Sequence, residues 1–230
     1  MPRRFQSPNL HKAKVRVLDF LGKGQDPNYT SEVCRAEVVE KTHDGKLVFQ
    51  SVRKHRPHES RNHIAHHQSI YRTLRKLKLP VPKFSRTMLE QLGDHKKTVI
   101  IAEDLTKRYG KLEDCHKLGN PVFLKKLRLN KDRKLITNLA KDLATMHLAG
   151  IVPKYIDFWH FYQVGNWNLF GRGSWDRVIV DFDKMYRIPK KQITHDKFIG
   201  DTLRSTSQNM NVKVWQAFHK IYLKETGQLI

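Results

Sequence analysis

The chain of 230 residues is long enough to bury a full core, and its composition, 39% hydrophobic and 29% charged, is that of a globular protein. Its 44 lysines and arginines against 22 acidic residues give a formal charge of +22, which favours an anionic partner: nucleic acid, an acidic membrane surface or a phosphorylated substrate. The sequence contains no apolar run of membrane-spanning length and no signal peptide, and the isolated thiols Cys34 and Cys115 fit a reducing compartment. We therefore expect a cytoplasmic protein, with peripheral attachment to a membrane left open. A generally basic soluble protein is the plain alternative, because the basic residues are spread along the chain.

The first half of the chain is predicted to form a small β-rich domain after a basic arm at residues 1–14. Apolar and polar residues alternate in a way that predicts strands at 15–21, 33–39 and 47–52, with a hairpin at Asp44-Gly45. A helix over 59–77 and a buried strand over 98–102 follow. Gly22 and Gly24 lie between the first two strands, where glycine would let backbone amides approach phosphate oxygens. Most Gly-x-Gly pairs are plain turns, and the position between two strands favours a phosphate-binding loop here.

The second half is predicted to be mostly helical. Apolar residues at three- and four-residue steps predict helices at 122–129, 135–149, 198–206 and 212–225, and Gly150 stands where a helix C-cap is expected. A short β-branched strand at 177–180 ends on Asp181 and Asp183. The histidines share no convincing ligand spacing, so a zinc site is not predicted.

A helix that ends in Met146-His147-x-x-Gly150-Ile151, followed by Asp157 and by an apolar strand with an acidic end, resembles the catalytic half of kinase-like phosphotransferases. The similarity is greatest to aminoglycoside phosphotransferases and lipopolysaccharide-core sugar kinases. It implies a two-lobed α+β fold, with an antiparallel β-meander and one helix over 15–106 and a mostly helical catalytic lobe over 107–230.

The resemblance also implies roles for individual residues and the use of ATP and Mg²⁺. Asp157 stands where the family's catalytic aspartate orients the acceptor hydroxyl, and Asp181 stands where a carboxylate binds magnesium. Further metal ligands would be Asp183 and Asn166. The nucleotide would be contacted by Gly22, Gly24, Gln50, Lys54 and Glu103.

Several positions depart from the family pattern. Tyr155 replaces a histidine and Tyr162 an asparagine or histidine, while Gln50 stands where the phosphate-binding lysine is expected, with Arg53 and Lys54 a few residues later. The partner glutamate of that lysine falls near His67 or Gln68. Despite these departures, the resemblance implies a phosphotransferase that acts on a hydroxyl of an anionic glycan, lipid or protein. The alternatives are a pseudokinase scaffold and a nucleic-acid-binding protein that uses its basic surface.

Overall fold

The computed structural model describes residues 14–23, 32–42, 45–56, 61–92, 95–103, 105, 120–154, 156–164, 174–189, 193 and 197–227. The chain divides into two compact units. Unit 1 contains residues 1–68 and 82–105, and unit 2 contains residues 69–81 and 106–230.

Unit 1 contains a five-stranded antiparallel sheet with the spatial order β1-β2-β3-β5-β4. Its strands are β1 (Lys14–Lys23), β2 (Glu32–Thr42), β3 (Gly45–Arg56), β4 (Ser85–Leu92) and β5 (His95–Glu103). Thr42 pairs with Gly45, which confirms the predicted hairpin between the second and third strands. The four predicted strands are present and longer than predicted.

Strand β4 was not predicted. Its sequence, SRTMLEQL, contains Met, Leu, Glu and Gln, which are good helix formers, and it lacks the β-branched alternation typical of a strand. Pairing with β5 along its whole length makes it a strand. Helix α1 (Arg61–Lys76) lies between β3 and β4 in the chain and confirms the predicted helix, with slightly shorter bounds.

Unit 2 is built around helix α3 (Leu129–Leu148), which follows the short helix α2 (Asn120–Lys126). Helix α3 begins six residues before the predicted start, with Asp132 in a non-helical conformation where its carboxylate accepts a hydrogen bond from the Arg128 amide at 2.8 Å. The predicted apolar stripe is buried and forms the centre of the core, together with the last helices, α4 (Lys197–Gln208) and α5 (Val212–Thr226). Gly150 follows α3 at φ +70°, as a glycine C-cap position requires.

Two small antiparallel sheets lie between α3 and α4 in the chain. Strand β6 (Ile151–Pro153) pairs with β9 (Met185–Arg187), and β7 (Trp159–Val164) pairs with β8 (Ser174–Ile179). A 3₁₀ turn at Ile156–Phe158 joins β6 to β7, and another at Phe182–Lys184 joins β8 to β9. The strand predicted at 177–180 corresponds to β8, whereas β6 and β7 were not predicted. None of the helices in the described ranges is long and apolar enough to cross a bilayer.

Candidate functional site

Two aspartate-bearing loops lie side by side in unit 2, and we call them the paired loops. The first, residues 154–158, joins β6 to β7; the second, residues 180–184, joins β8 to β9. The pairing of β6 with β9 and of β7 with β8 places the loops at the same end of these strands. Backbone hydrogen bonds join them at both ends, from Lys154 N to Lys184 O at 2.8 Å and from Val180 N to Phe158 O at 2.8 Å.

The paired loops contain three of the predicted site residues. Asp157 lies in the 3₁₀ turn of the first loop, and Asp181 and Asp183 lie in the second loop. The structure describes the backbone of all three residues. It describes the side chain of Asp181 alone, and this side chain is half-buried. The fold therefore brings together backbone positions that are 24 residues or more apart in the sequence.

Asp181 has an unusual backbone conformation, with φ 53° and ψ 46° in the left-handed region. This conformation costs an L-residue roughly 1–2 kcal/mol, although aspartate and asparagine adopt it more readily than other non-glycine residues. The Asp181 carbonyl oxygen accepts a hydrogen bond from Lys184 N at 3.0 Å, which closes the 3₁₀ turn. Strained backbone in a turn of this kind is often found at functional positions, and here it lies in the connection from β8 to β9.

A buried ion pair attaches β8 to α3. The Arg177 guanidinium donates two hydrogen bonds to the Asp142 carboxylate, from Nε to Oδ2 and from Nη2 to Oδ1, both at 2.7 Å. The Asp142 and Arg177 side chains are 5% and 14% exposed. Burial raises the pKa of Asp142, and the hydrogen bonds and charge of Arg177 oppose this rise. Because both carboxylate oxygens of Asp142 accept short hydrogen bonds from the guanidinium, the carboxyl group is ionised and the pair is charged at neutral pH.

Sequence reasoning missed this ion pair, although a signal for it exists. Asp142 follows Leu139 by three residues on the apolar face of the predicted helix, where a charged residue requires a buried partner. Nothing local identifies Arg177 as that partner, because it lies 35 residues away on a strand.

His147, part of the motif on which the resemblance rests, is fully buried. Its Nδ1 lies 2.7 Å from the hydroxyl of Tyr222 on α5, and its Nε2 has no hydrogen-bond partner within the described part of the chain. Burial lowers the pKa of His147 to about 3 and raises the pKa of Tyr222. The imidazole is therefore neutral at physiological pH, and it joins α3 to α5 instead of taking part in an exposed site.

Tyr162, which stands where the resemblance implies an asparagine or histidine, lies inside a strand. Strand β7 begins two residues after Asp157, so Tyr162 is opposite Asp176 in the middle of a β-ladder and is 7% exposed. A buried phenol offers neither the amide nor the imidazole that the resemblance implies at this position. The substitute, Asn166, lies outside the described residues. Among the side chains that the structure describes, no three His, Cys, Asp or Glu residues form a cluster that could hold a metal.

The predicted nucleotide-binding residues belong to unit 1. Gly22 lies inside β1 opposite Val33, because β1 extends beyond its predicted end, and Gly24 is outside the described residues. Strand β3 also extends further than predicted, so Gln50 and Lys54 both belong to it. Gln50 is opposite Glu37, and Lys54 is opposite Val33 and Ile100.

Glu103, the last residue of β5, has a structural role that was not predicted. Its Oε2 accepts a hydrogen bond from the Lys83 amide at 2.6 Å, and its own amide donates to the Phe84 carbonyl at 3.2 Å. The side chain thus holds the segment that leads into β4 against the end of β5.

Comparisons with known proteins give structural similarity only. No protein-family model matches the chain, and no curated protein matches it. Among solved structures, WaaP in complex with acyl carrier protein is 13% identical, with a TM-score of 0.48 over 93% of this chain and 85% of that chain. The autoinhibited serine kinase domain of the giant muscle protein titin is 14% identical, with a TM-score of 0.46 over 76% of this chain and 47% of that chain. Similarity at this level does not assign the chain to a family.

Proposed function

We propose that the protein is a kinase-like phosphotransferase that uses ATP and Mg²⁺ to phosphorylate a hydroxyl group. The observation that carries the proposal is the arrangement of the paired loops. Two aspartate-bearing loops are hydrogen-bonded to each other at both ends, and one of their aspartates is held in a left-handed conformation. Phosphoryl transfer needs this kind of constellation, with one carboxylate to orient the acceptor and others to bind metal ions.

The order of elements agrees with the resemblance found in the sequence. Unit 1 has an antiparallel sheet, α1 lies between its third and fourth strands in the chain, and unit 2 is mostly helical with two short antiparallel sheets. These features support the kinase-like fold predicted from the sequence.

In this proposal Asp157 orients the acceptor hydroxyl, and Asp181 and Asp183 bind magnesium, which prefers carboxylate oxygens and retains several waters. Gly22, Gly24, Gln50, Lys54 and Glu103 are assigned to the nucleotide, and Asn166 to the metal. The net charge of +22 supports an anionic acceptor, namely a glycan, lipid or protein that bears negative groups.

The test is thermal unfolding with ATP, with and without Mg²⁺, on the wild type and on Asp181→Asn. Asparagine tolerates the left-handed conformation of Asp181, so this change removes the charge and leaves the turn intact. ATP at about ten times its Kd should stabilise the wild type by roughly 1.4 kcal/mol, or about 3–6 °C in Tm. We expect this shift to require Mg²⁺ and to be absent in Asp181→Asn.

The matched control is Asp201→Asn, which removes an exposed carboxylate on α4. It should retain the full shift. A shift that persists in Asp181→Asn would refute the assignment of Asp181.

In a second variant, Asp157→Asn, we expect ATP to bind normally and ATP turnover to be lost, so turnover at the wild-type rate would refute the role of Asp157.

A pseudokinase scaffold is the second candidate, favoured by the burial of Tyr162 within β7. A protein that lacks the asparagine or histidine implied at position 162 could keep the fold without the reaction. Absence of any thermal shift at millimolar ATP, with or without Mg²⁺, would favour the scaffold over the enzyme.

A further inference from the structure

Helix α5 has one buried and one exposed side. Val214, Phe218, Tyr222 and Thr226 face the core of unit 2. The opposite side, which we call the α5 outer face, includes Val212, Lys213, Lys220, Leu223 and Lys224. The helix is well defined at both ends, because the Asn211 side chain accepts from Lys213 N at 3.0 Å and Gly227 ends it at φ +63°.

Three lysines form a positive stripe on the α5 outer face. Lys213, Lys220 and Lys224 are all exposed and are spaced seven and four residues apart, so at 3.6 residues per turn they share one side of the helix. The stripe is about 16 Å long at 1.5 Å per residue. Among the described residues these lysines form no ion pair.

The one acidic residue of α5, Glu225, does not offset this charge. It lies toward α3, where its carboxylate is 3.5 Å from the Lys141 ammonium. The α5 outer face is therefore positive along its full length.

Apolar groups lie beside the lysine stripe. Val212 is 69% exposed, which makes it the most exposed large hydrophobic residue in the described part of the chain. Trp215 and Leu223 are partly buried against the core of unit 2 and, with His219, line a shallow groove that Lys220 and Lys224 also line. The outer face thus combines a basic stripe with the exposed side chain of Val212, beside a partly buried apolar groove.

We propose that the α5 outer face binds the surface of an anionic lipid bilayer. Helices that lie in a membrane interface have this composition: exposed aliphatic groups enter the headgroup region, while lysines extend to anionic headgroups beside them. The proposal is independent of the phosphotransferase function, since it rests on α5 alone and not on the paired loops.

Other occupants fit the α5 outer face less well. A second copy of the chain would bring two lysine stripes together across a two-fold axis, and like charges repel. A single-stranded nucleic acid would need an open aromatic face for base stacking. The Trp215 ring already stacks on His219, with ring centroids 4.9 Å apart, and on Phe218 at 5.6 Å. The exposed Val212 would gain nothing from contact with phosphates.

The test is co-flotation of the full chain with vesicles of phosphatidylcholine alone and of phosphatidylcholine mixed with phosphatidylglycerol. We expect binding to the mixed vesicles only. The triple variant Lys213→Gln, Lys220→Gln, Lys224→Gln should bind about a hundredfold more weakly. Each lysine near an anionic surface contributes a similar increment to the free energy of binding. The single variant Val212→Ser should bind about fivefold more weakly, and its exposure at the helix start leaves the fold intact.

The matched control removes the same charge from another exposed surface of unit 2, through Lys125→Gln, Lys126→Gln and Lys131→Gln on α2 and at the start of α3. It should bind the mixed vesicles within about twofold of the wild type. Equal losses in the two triple variants would mean that net charge alone drives binding and would overturn the proposal. Unchanged binding by Val212→Ser would overturn the apolar contribution and with it the interfacial geometry. If the wild type does not bind the mixed vesicles, the proposal is wrong. If RNA binding is then lost in the α5 triple variant, the face belongs to a nucleic acid.

Discussion

Removing Arg177 tests whether the buried ion pair holds β8 on α3. In Arg177→Met the Asp142 carboxylate would remain almost fully buried without the two 2.7 Å hydrogen bonds that now satisfy it. Breaking a buried pair in this way typically costs 3–5 kcal/mol, so we expect a loss of about 4 kcal/mol in the free energy of unfolding at pH 7. That loss is a large fraction of the total stability of a typical domain.

The loss should depend on pH in a defined direction. Burial raises the pKa of Asp142, and in Arg177→Met the opposing effect of the guanidinium is absent, so the pKa rises further. A folded-state pKa above the unfolded value of about 3.9 means that stability falls as pH rises between the two values. The difference between variant and wild type should therefore be largest near pH 7 and smaller near pH 5.

Urea unfolding monitored by circular dichroism measures these effects. Asp142→Leu combined with Arg177→Met replaces both charges and should recover most of the stability, giving a coupling energy of about 2–4 kcal/mol. Asp176→Asn is the internal control, because this carboxylate accepts from the same guanidinium at 2.9 Å but is 37% exposed. It should cost less than about 1 kcal/mol. A loss below about 1 kcal/mol in Arg177→Met, or strictly additive losses in the double variant, would refute the reasoning.

Two further predictions concern the core of unit 2. Burial lowers the pKa of His147 to about 3. Below about pH 6.5 the unfolded state therefore binds a proton on this imidazole that the native state does not bind. The free energy of unfolding should fall by about 1.4 kcal/mol per pH unit toward pH 4. His147→Gln should lose this slope even though it is less stable at neutral pH, and an unchanged slope in urea titrations at several pH values would contradict the assignment. Gly150→Ala should cost more than Gly227→Ala by at least about 1–2 kcal/mol in the same assay. Both glycines have positive φ, but a Cβ at Gly150 would collide with the Ile188 carbonyl oxygen, whereas the space at Gly227 is open. Equal costs would contradict the close approach.

The sequence determined the elements whose signal is local. The apolar stripe of α3, the alternation in β2 and β3 and the hairpin before Gly45 depend on neighbouring residues, and all three are present in the structure. The acidic residues after β8 were also predicted from the sequence, since Asp181 directly follows a short β-branched run that is typical of a strand.

Tertiary structure decided the rest, because the missing information is non-local. Strand β4 has helix-forming residues and is a strand only through its pairing with β5. Strand β6 has three residues, too few for a periodic signal, and β7 was missed because it depends on its partner β8.

The candidate site shows the same division. Its aspartates can be found in the sequence, but the hydrogen bonds that join the paired loops connect residues from different strands. The left-handed backbone of Asp181 belongs to the turn between β8 and β9, and the pairing of Asp142 with Arg177 depends on how α3 packs against β8. A sequence pattern carries the identity and spacing of charged groups. Which of them are buried, paired or strained depends on contacts that form only once the chain has folded.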